Sequence, residues 1–372
     1  MTTHPAGDWR ELFAPCVAGG APVTIELNVV RRGEQPFLLL PTEARLAATA
    51  LALYPAQTAK ARAAKLLFNF ALCVGLKPRL EKISLPLAED DPFARFLAQT
   101  AKLPEGVLPR FAILAGNPRA EGRRFVFLLF NAGGEPVAVV KAGNSDRARR
   151  LLAHEEKILQ IAPPQLRGLP KLHATFYTQR AQAFALDFFR GHPPHLDDTQ
   201  PLAELLTSWV AGGGLVAMKD LGAWQRLAAA AADRPLPEPV RALAETRFHS
   251  TLAHGDCAPW NVKVARGAWT LLDWERGEVT GVPGWDWFHF VMQPAVLVRR
   301  ESVAALLARF ERLLAAEDFV RYARHAGMAE SERALALAYL CYCTRVTRQT
   351  EGLETVAALE RAAAERWFPA TG

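Results

Sequence analysis

The chain has 372 residues, half of them hydrophobic and 22% charged, a globular composition in a length that exceeds one core, so two or three domains are expected. A net charge of +6 is mild at this size and its Lys and Arg are dispersed, which argues against a nucleic-acid partner. Five cysteines (Cys16, Cys73, Cys257, Cys341, Cys343) are odd in number and lack zinc spacing; with no signal-peptide pattern and no run of about 20 apolar residues, a cytoplasmic setting is expected.

Taken in chain order, 23–30 and 37–40 read as strands about the turn 32–35, and an alanine-rich helix over 42–54 follows Pro41. A second helix is expected over 59–76, with Lys60, Arg62 and Lys65 ahead of Leu66, Leu67 and Phe68 and with Lys77 and Arg79 behind. Such a helix packs on a neighbouring lobe with its lysines in solvent, which is the simpler reading, or lies on an anionic membrane surface through residues 59–82.

Strands are expected over 111–114, 125–130 and 137–141, the last two forming a hairpin across 131–134 that Lys141 closes. The helix over 146–160 carries an apolar stripe of Ala148, Leu151, Leu152, Ile158 and Leu159. Glu155 falls inside that stripe and Glu156 to one side. A carboxylate on a buried face wants a cation, since leaving it unpaired costs several kcal/mol or shifts its pKa. An apolar strand over 183–187 then breaks into a turn rich in Gly and Pro. The remainder reads as helical, over 202–210, 224–232, 301–317, 331–348 and 353–367.

The most informative stretch is His254-Gly255-Asp256, followed by Asn261 and by Asp273 in Leu271-Leu272-Asp273-Trp274-Glu275. Phosphoryl transfer needs charge neutralisation and alignment more than covalent help, which carboxylates and an amide holding magnesium supply. Two apolar runs, 262–265 and 269–272, flank a turn at Arg266-Gly267-Ala268. With the turn centred on Gly267, Asn261 and Asp273 become cross-strand neighbours able to share one cation. Asp256, on the loop entering the hairpin, is placed to receive or orient an acceptor hydroxyl.

The string HGDCAPWN followed by LLDWE resembles the aminoglycoside phosphotransferase and choline kinase-like families, and the resemblance spans roughly residues 105–350. It implies an α+β, two-lobed protein-kinase-like fold, with a small β-rich N-lobe over 105–190, a large helical C-lobe over 191–372 and an extra N-terminal α/β segment over 1–104. It also implies ATP and Mg²⁺, with Asp256 as the catalytic carboxylate, Asn261 and Asp273 on the metal, and Asp286 bracing the catalytic loop. A nucleotide-binding lysine is expected at the end of a strand, which Lys141 satisfies. Its ion-pair partner is Glu155, or Glu156 if the helix is slightly rotated. The segment around Asp187, Phe188 and Phe189 resembles the interlobe hinge that bonds the adenine edge. The loop after 114 lacks the GxGxxG spacing of protein kinases, so Gly116 and Asn117 are its loop candidates for covering phosphates.

The function these readings imply is transfer of the γ-phosphoryl group of ATP to a hydroxyl of a small molecule or glycan precursor. A nucleotide-binding regulator without turnover is the alternative. By electrostatics alone, Arg299, Arg300, Arg345 and Arg348 in the helical region favour a neutral or anionic acceptor over a cationic one.

Overall fold

Period-two alternation organises the first part of the chain. In the computed structural model, which describes residues 8–14, 23–54, 59–74, 80–88, 90–116, 122–163, 166–196, 198–232, 234–348 and 351–369, eight strands form one antiparallel sheet. They are β1 (Val23–Arg32), β2 (Gln35–Pro41), β3 (Glu81–Leu87), β4 (Arg110–Leu114), β5 (Phe125–Phe130), β6 (Pro136–Gly143), β7 (Leu172–Tyr177) and β8 (Gln182–Asp187). Their spatial order is β3-β1-β2-β4-β5-β6-β8-β7.

Leu39, Phe111, Ile113, Phe125, Phe127 and Leu129 face one core, while Leu38, Leu40, Ala112, Leu128 and Phe130 face the other. Because both faces are covered, β5 reads FVFLLF, a nearly continuous apolar run in which alternation sorts residues between two cores rather than between core and water.

Helices supply the covers. On one side α1 (Ala44–Ala50) and α2 (Ala59–Cys73) turn Leu46, Ala47, Phe68 and Leu72 inward. On the other side α3 (Pro92–Thr100) contributes Phe93, Phe96 and Leu97, with Trp9, Leu12 and Phe13 beside them. The buried Asp91 starts α3: its Oδ1 accepts from Ala94 N at 2.6 Å, and its Oδ2 accepts from Ala14 N at 2.6 Å. One carboxylate thus caps the helix and anchors the chain near residue 14. The helix after β6, α4 (Asp146–Ile161), is capped by Ser145, whose Oγ accepts from Ala148 N at 3.2 Å.

The chain divides into two compact units, one of residues 1–160 and 170–189, the other of 161–169 and 190–372. Residues before 105 therefore share a unit and a sheet with the strands after them: β2 pairs with β4 through Leu38–Leu114 and Leu39–Ile113. A boundary at 104 would cut that sheet, because β1 to β3 extend it beyond β4.

The second unit is mainly helical, with α5 (Thr199–Ser208), α6 (Gly222–Ala229), α7 (Glu238–Ala242), α8 (Trp285–Leu297), α9 (Val303–Ala315), α10 (Glu317–His325), α11 (Glu332–Tyr342) and α12 (Leu353–Trp367). The expected helix 301–317 stops at Ala315, and α10 starts afresh at Glu317. After α11 a wider π turn, Cys343–Thr347, carries the backbone onward. Among the described residues no helix is long and apolar enough to cross a membrane.

Removing residues 1–104 strips β4 of its outer neighbour and uncovers Phe111, Phe127 and their surroundings. The fragment 105–372 is therefore expected to aggregate on size-exclusion chromatography and to lack a cooperative melt, whereas the full chain shows one. A monodisperse fragment melting at the temperature of the full chain contradicts this.

Candidate active site

In the first unit, strand alternation and helix periodicity converge on an ion pair. Lys141 lies on β6 opposite Phe184 of β8 and is 6% exposed; Glu155 on the inner face of α4 is 0% exposed. Lys141 Nζ stands 2.6 Å from Glu155 Oε1. Ala148, Leu152, Glu155 and Ile158 form the buried stripe of α4, so the acid enters an apolar environment and finds its cation there.

Glu156 is buried too, but it has other partners. Its carboxylate accepts from the Tyr177 hydroxyl, from Gln160 Nε2 at 2.8 Å and from Gln182 Nε2 at 3.2 Å. Burial, with Glu156 adjacent, pushes the Tyr177 phenol up to about 12. Of the two candidate acids, Glu155 is the one the structure pairs with Lys141.

In the second unit the loop 254–256 is held from behind. Asp286, in the first turn of α8, accepts from His254 N at 2.6 Å and from Gly255 N at 3.0 Å. Gly255 has φ +74, and a Cβ there would meet Arg276 O at 2.6 Å, so the motif requires glycine on two counts. His254 is fully buried against Trp274, their rings 4.7 Å apart. His254 Nε2 faces Leu272 O at 2.8 Å, and Asp256 N donates to His254 Nδ1 at 3.2 Å, which together fix the Nε2-protonated tautomer. Burial lowers its pKa despite the nearby charges of Asp286, Asp256 and Asp273, so the ring is a neutral structural strut.

The hairpin register differs from expectation by one residue. Val262 pairs with Leu271 and Ala265 with Ala268, around a two-residue turn in which Arg266 (φ 50) and Gly267 (φ 78) are both left-handed. A three-residue turn centred on Gly267 would have set Asn261 opposite Asp273. Instead Leu272 N donates to Asn261 O at 2.8 Å, and Asp273 comes one position later. Asp273 is itself left-handed (φ 70) and begins the 3-10 turn Trp274–Arg276, so strand alternation no longer governs its side chain. Its charge still reaches His254, the residue that Asp256 and Asp286 also surround.

Asp256 is the most heavily engaged of the motif residues. Asn261 Nδ2 donates to its backbone O at 2.9 Å and to its Oδ2 at 3.2 Å. Its Oδ1 lies 2.9 Å from His289 Nε2, and His289 Nδ1 lies 2.9 Å from the Tyr339 hydroxyl. Burial alone would push the Asp256 carboxyl up; the hydrogen bond from His289 and the positive charge of Arg276 outweigh it and leave the group below the usual carboxylate range. His289 and Tyr339 escape a motif reading because they lie far along the chain. The one available signal is that His289 falls three positions after Asp286, on the same helical face.

The donor set suits a hard cation that keeps company with phosphates. Asn261 makes both of its bonds to Asp256 through Nδ2, which turns its oxygen to other use, and Asp273 adds a carboxylate. Among the described residues no group of three or more His, Cys, Asp or Glu could hold a metal ion by itself.

Other expected residues are placed less pointedly. Asp187 ends β8 beside Ala138 and meets His173 Nε2 at 2.5 Å; Phe188 N reaches Val137 O at 3.4 Å; Phe189 is half-buried. Gly116 takes φ +66 against Arg124 O, and Asn117 lies outside the described residues. Arg123 donates to Ala115 O at 2.5 Å and stacks over Phe125. Arg345 is a correction: it is buried, 3.2 Å from Glu360 and 2.8 Å from Arg234 O, so it neutralises an internal acid and does not bias an acceptor. Arg299 is likewise paired, 2.6 Å from Glu301.

A strand lysine paired to a helix glutamate in an antiparallel sheet, followed by a helical unit with a braced HGD loop, an asparagine and a hairpin ending in aspartate, decides the architecture. The fold is kinase-like. In its motifs this kinase-like chain resembles the aminoglycoside phosphotransferase and choline kinase-like families.

No family model matches the chain, and no curated protein does. Similar solved structures include a thermostable mutant of aminoglycoside phosphotransferase APH(4)-Ia in a ternary complex with AMP-PNP and hygromycin B, at 16% identity over 75% of this chain and 99% of that one, with a TM-score of 0.46. The aminoglycoside phosphotransferase APH(3'')-Id of Streptomyces rimosus gives 12% identity, 62% and 92% coverage and 0.38. The choline kinase of Cryptosporidium parvum gives 11%, 66% and 85%, and 0.40. These likenesses are distant, and the kinase-like fold stands on the chain's own sheet, ion pair and loop.

Glu155→Leu alone removes a carboxylate partner from the buried Lys141 and is expected to lower unfolding free energy by about 3–5 kcal/mol in urea titration. The double variant Lys141→Met with Glu155→Leu should recover most of that loss. Equal losses in the single and double variants would show that the pair is not coupled.

Proposed function

We propose that this protein is an ATP-dependent phosphotransferase that moves the γ-phosphoryl group to a hydroxyl of a small molecule or glycan precursor. The observation that carries the reading is Asp256: a carboxylate kept ionised by its neighbours, on a loop braced by Asp286, with Asn261 bonded directly to it.

In this reading Lys141 serves the α- and β-phosphates, with Glu155 holding its ammonium in place. The main chain around Asp187, Phe188 and Phe189 takes the base, and Gly116 lets the backbone come close to the phosphates. Asn261 and Asp273 would hold Mg²⁺, which when bound neutralises phosphate charge. Asp256 accepts the hydrogen bond of the acceptor hydroxyl. The hydroxyl oxygen forms a bond to the γ-phosphorus, the bond from phosphorus to the bridging oxygen breaks, and ADP leaves with the electron pair. The acceptor proton passes by way of Asp256 to solvent. We place this chemistry in the cytoplasm, where ATP is plentiful.

Transfer of ³²P from γ-labelled ATP to fractions of a cell extract tests the reading. Asp256→Ala is expected to lose turnover by about a hundredfold or more while nucleotide affinity stays the same. Unchanged transfer in that variant refutes the assignment of Asp256. Stabilisation by ATP with no labelled product from any fraction marks a regulator instead.

The surface of α2 favours a peripheral partner as well. Leu66, Leu67, Phe70 and Val74 are all more than half exposed and share one arc of the helix, with Arg62 on one flank and Lys60 on the other; no acid interrupts Ala59–Cys73. An apolar arc edged by cations matches an anionic bilayer surface, where the side chains enter the headgroup boundary and the cations meet phosphate. The full chain is expected to float with vesicles of phosphatidylcholine and phosphatidylglycerol, not with phosphatidylcholine alone, and to stop floating as Leu67→Glu with Phe70→Glu. Concentration-dependent dimers without flotation would assign the arc to a second copy of the chain.

A further inference from the structure

α8 bears on the catalytic loop twice. Asp286 fixes the backbone of His254 and Gly255, and His289, one turn later, reaches the carboxylate of Asp256 itself. Both imidazole nitrogens are engaged, Nε2 with Asp256 Oδ1 and Nδ1 with Tyr339 on α11, and His289 and Tyr339 are both buried.

The protons follow from what each group can do. An ionised carboxylate only accepts, so His289 Nε2 carries a hydrogen in either charge state of the ring. When the ring is neutral, Nδ1 accepts from the phenol. Burial holds the Tyr339 pKa far above its ordinary value, so the hydroxyl keeps the proton it donates. Rings of Tyr339 also pack near Trp285 and Phe288 of α8, which leaves the phenol little freedom to turn away.

We propose that His289, held by Tyr339, is a positioning residue that pins Asp256 Oδ1 and so presents Oδ2 to the acceptor hydroxyl. The inference deepens the phosphotransferase reading and rests on Asp256 being the accepting carboxylate. The terminal torsion of an aspartate is broad and nearly two-fold, so without a fixed partner its oxygens exchange and their lone pairs wander. His289 removes that freedom by holding Oδ1 from α8. Asn261, the partner of Oδ2, ends the short 3-10 turn Pro259–Asn261, and its bond is the longer of the two. One oxygen is thereby structural and the other available. Misplacing a reacting group by about 1 Å costs on the order of a hundredfold in rate.

The rival explanation is that His289 merely packs α8 against α11, and the test separates the two. Four variants are compared with wild type in steady-state phosphoryl release from Mg²⁺·ATP, using water or the acceptor found by the label screen: Asp256→Ala, His289→Leu, His289→Gln and Tyr339→Phe. His289→Leu is expected to lower kcat by about 10- to 100-fold with KM for ATP nearly unchanged. His289→Gln, which keeps an N–H donor, should restore most of it, and Tyr339→Phe should show a smaller loss. Full kcat in His289→Leu beside an inactive Asp256→Ala overturns the positioning role alone. A loss that His289→Gln fails to rescue also overturns it. An active Asp256→Ala overturns the assignment of Asp256 as the accepting carboxylate, on which the inference rests. Independently of turnover, ¹⁵N spectra of the histidine-labelled wild-type chain should show a proton on Nε2 of His289, assigned by its loss in His289→Gln; a ring protonated at Nδ1 only overturns the proposal whatever the activity.

Discussion

The carboxylate of Asp286 is the constraint on which the second unit turns. It is buried at the start of α8, receives two successive backbone N–H groups, and lies within the field of the neutral His254 ring. Burial pushes its carboxyl up from the ordinary value, while the two backbone donors of His254 and Gly255 pull the other way. Its place in the first turn of a helix adds favourable dipole charge. Taking the group away would leave two inward-facing N–H donors without a partner, each costing about 1–3 kcal/mol. Gly255 holds a left-handed backbone in which a Cβ would meet Arg276 O at 2.6 Å, so only glycine fits the loop that Asp286 holds. The position of Asp256 is thus inherited from an interaction it does not make.

Two buried ion pairs show how differently the same physics is used. Lys141 with Glu155 ties a strand to a helix inside the first unit, and the compactness of that contact leaves the ammonium a defined place. Glu360 in the second unit is met by Arg345, by Arg234 at 3.2 Å and by Thr344 at 2.6 Å, a cluster that closes on itself around a wide helical turn. Charges of the latter kind lower no barrier and attract no ligand. They satisfy each other where α12 packs over the end of α11.

Much of the architecture was legible because local patterns and tertiary demands agree. Strands β4, β5, β6 and β8 read correctly from their apolar runs, and Glu155 stood out because it interrupts a stripe. What could not be read had distant causes. That Glu156 is buried as well could not be read, because its partners Tyr177 and Gln182 arrive from later strands. The hairpin register failed by one because Arg266 adopts a left-handed conformation usually given to glycine or asparagine, shortening the turn. Arg345 read as surface because nothing nearby in sequence reveals Glu360 beneath it. β3 and α3 lacked a pattern strong enough to stand out, though Asp91 before Pro92 is a helix-start signal of the ordinary kind.

The route of the chain has a consequence for its synthesis. Residues 161–169 belong to the second unit, yet β7 and β8 return to the first before the chain leaves it for good at 189. The sheet therefore cannot be completed as the chain emerges until Asp187 has cleared the ribosome, and by then β5 and β6 have waited with one long edge unpaired. Contacts such as Leu38 with Leu114 join remote parts of the polypeptide, an arrangement that slows folding. The aromatic-rich nascent sheet keeps that edge unpaired during the interval, when exposed strand edges favour aggregation.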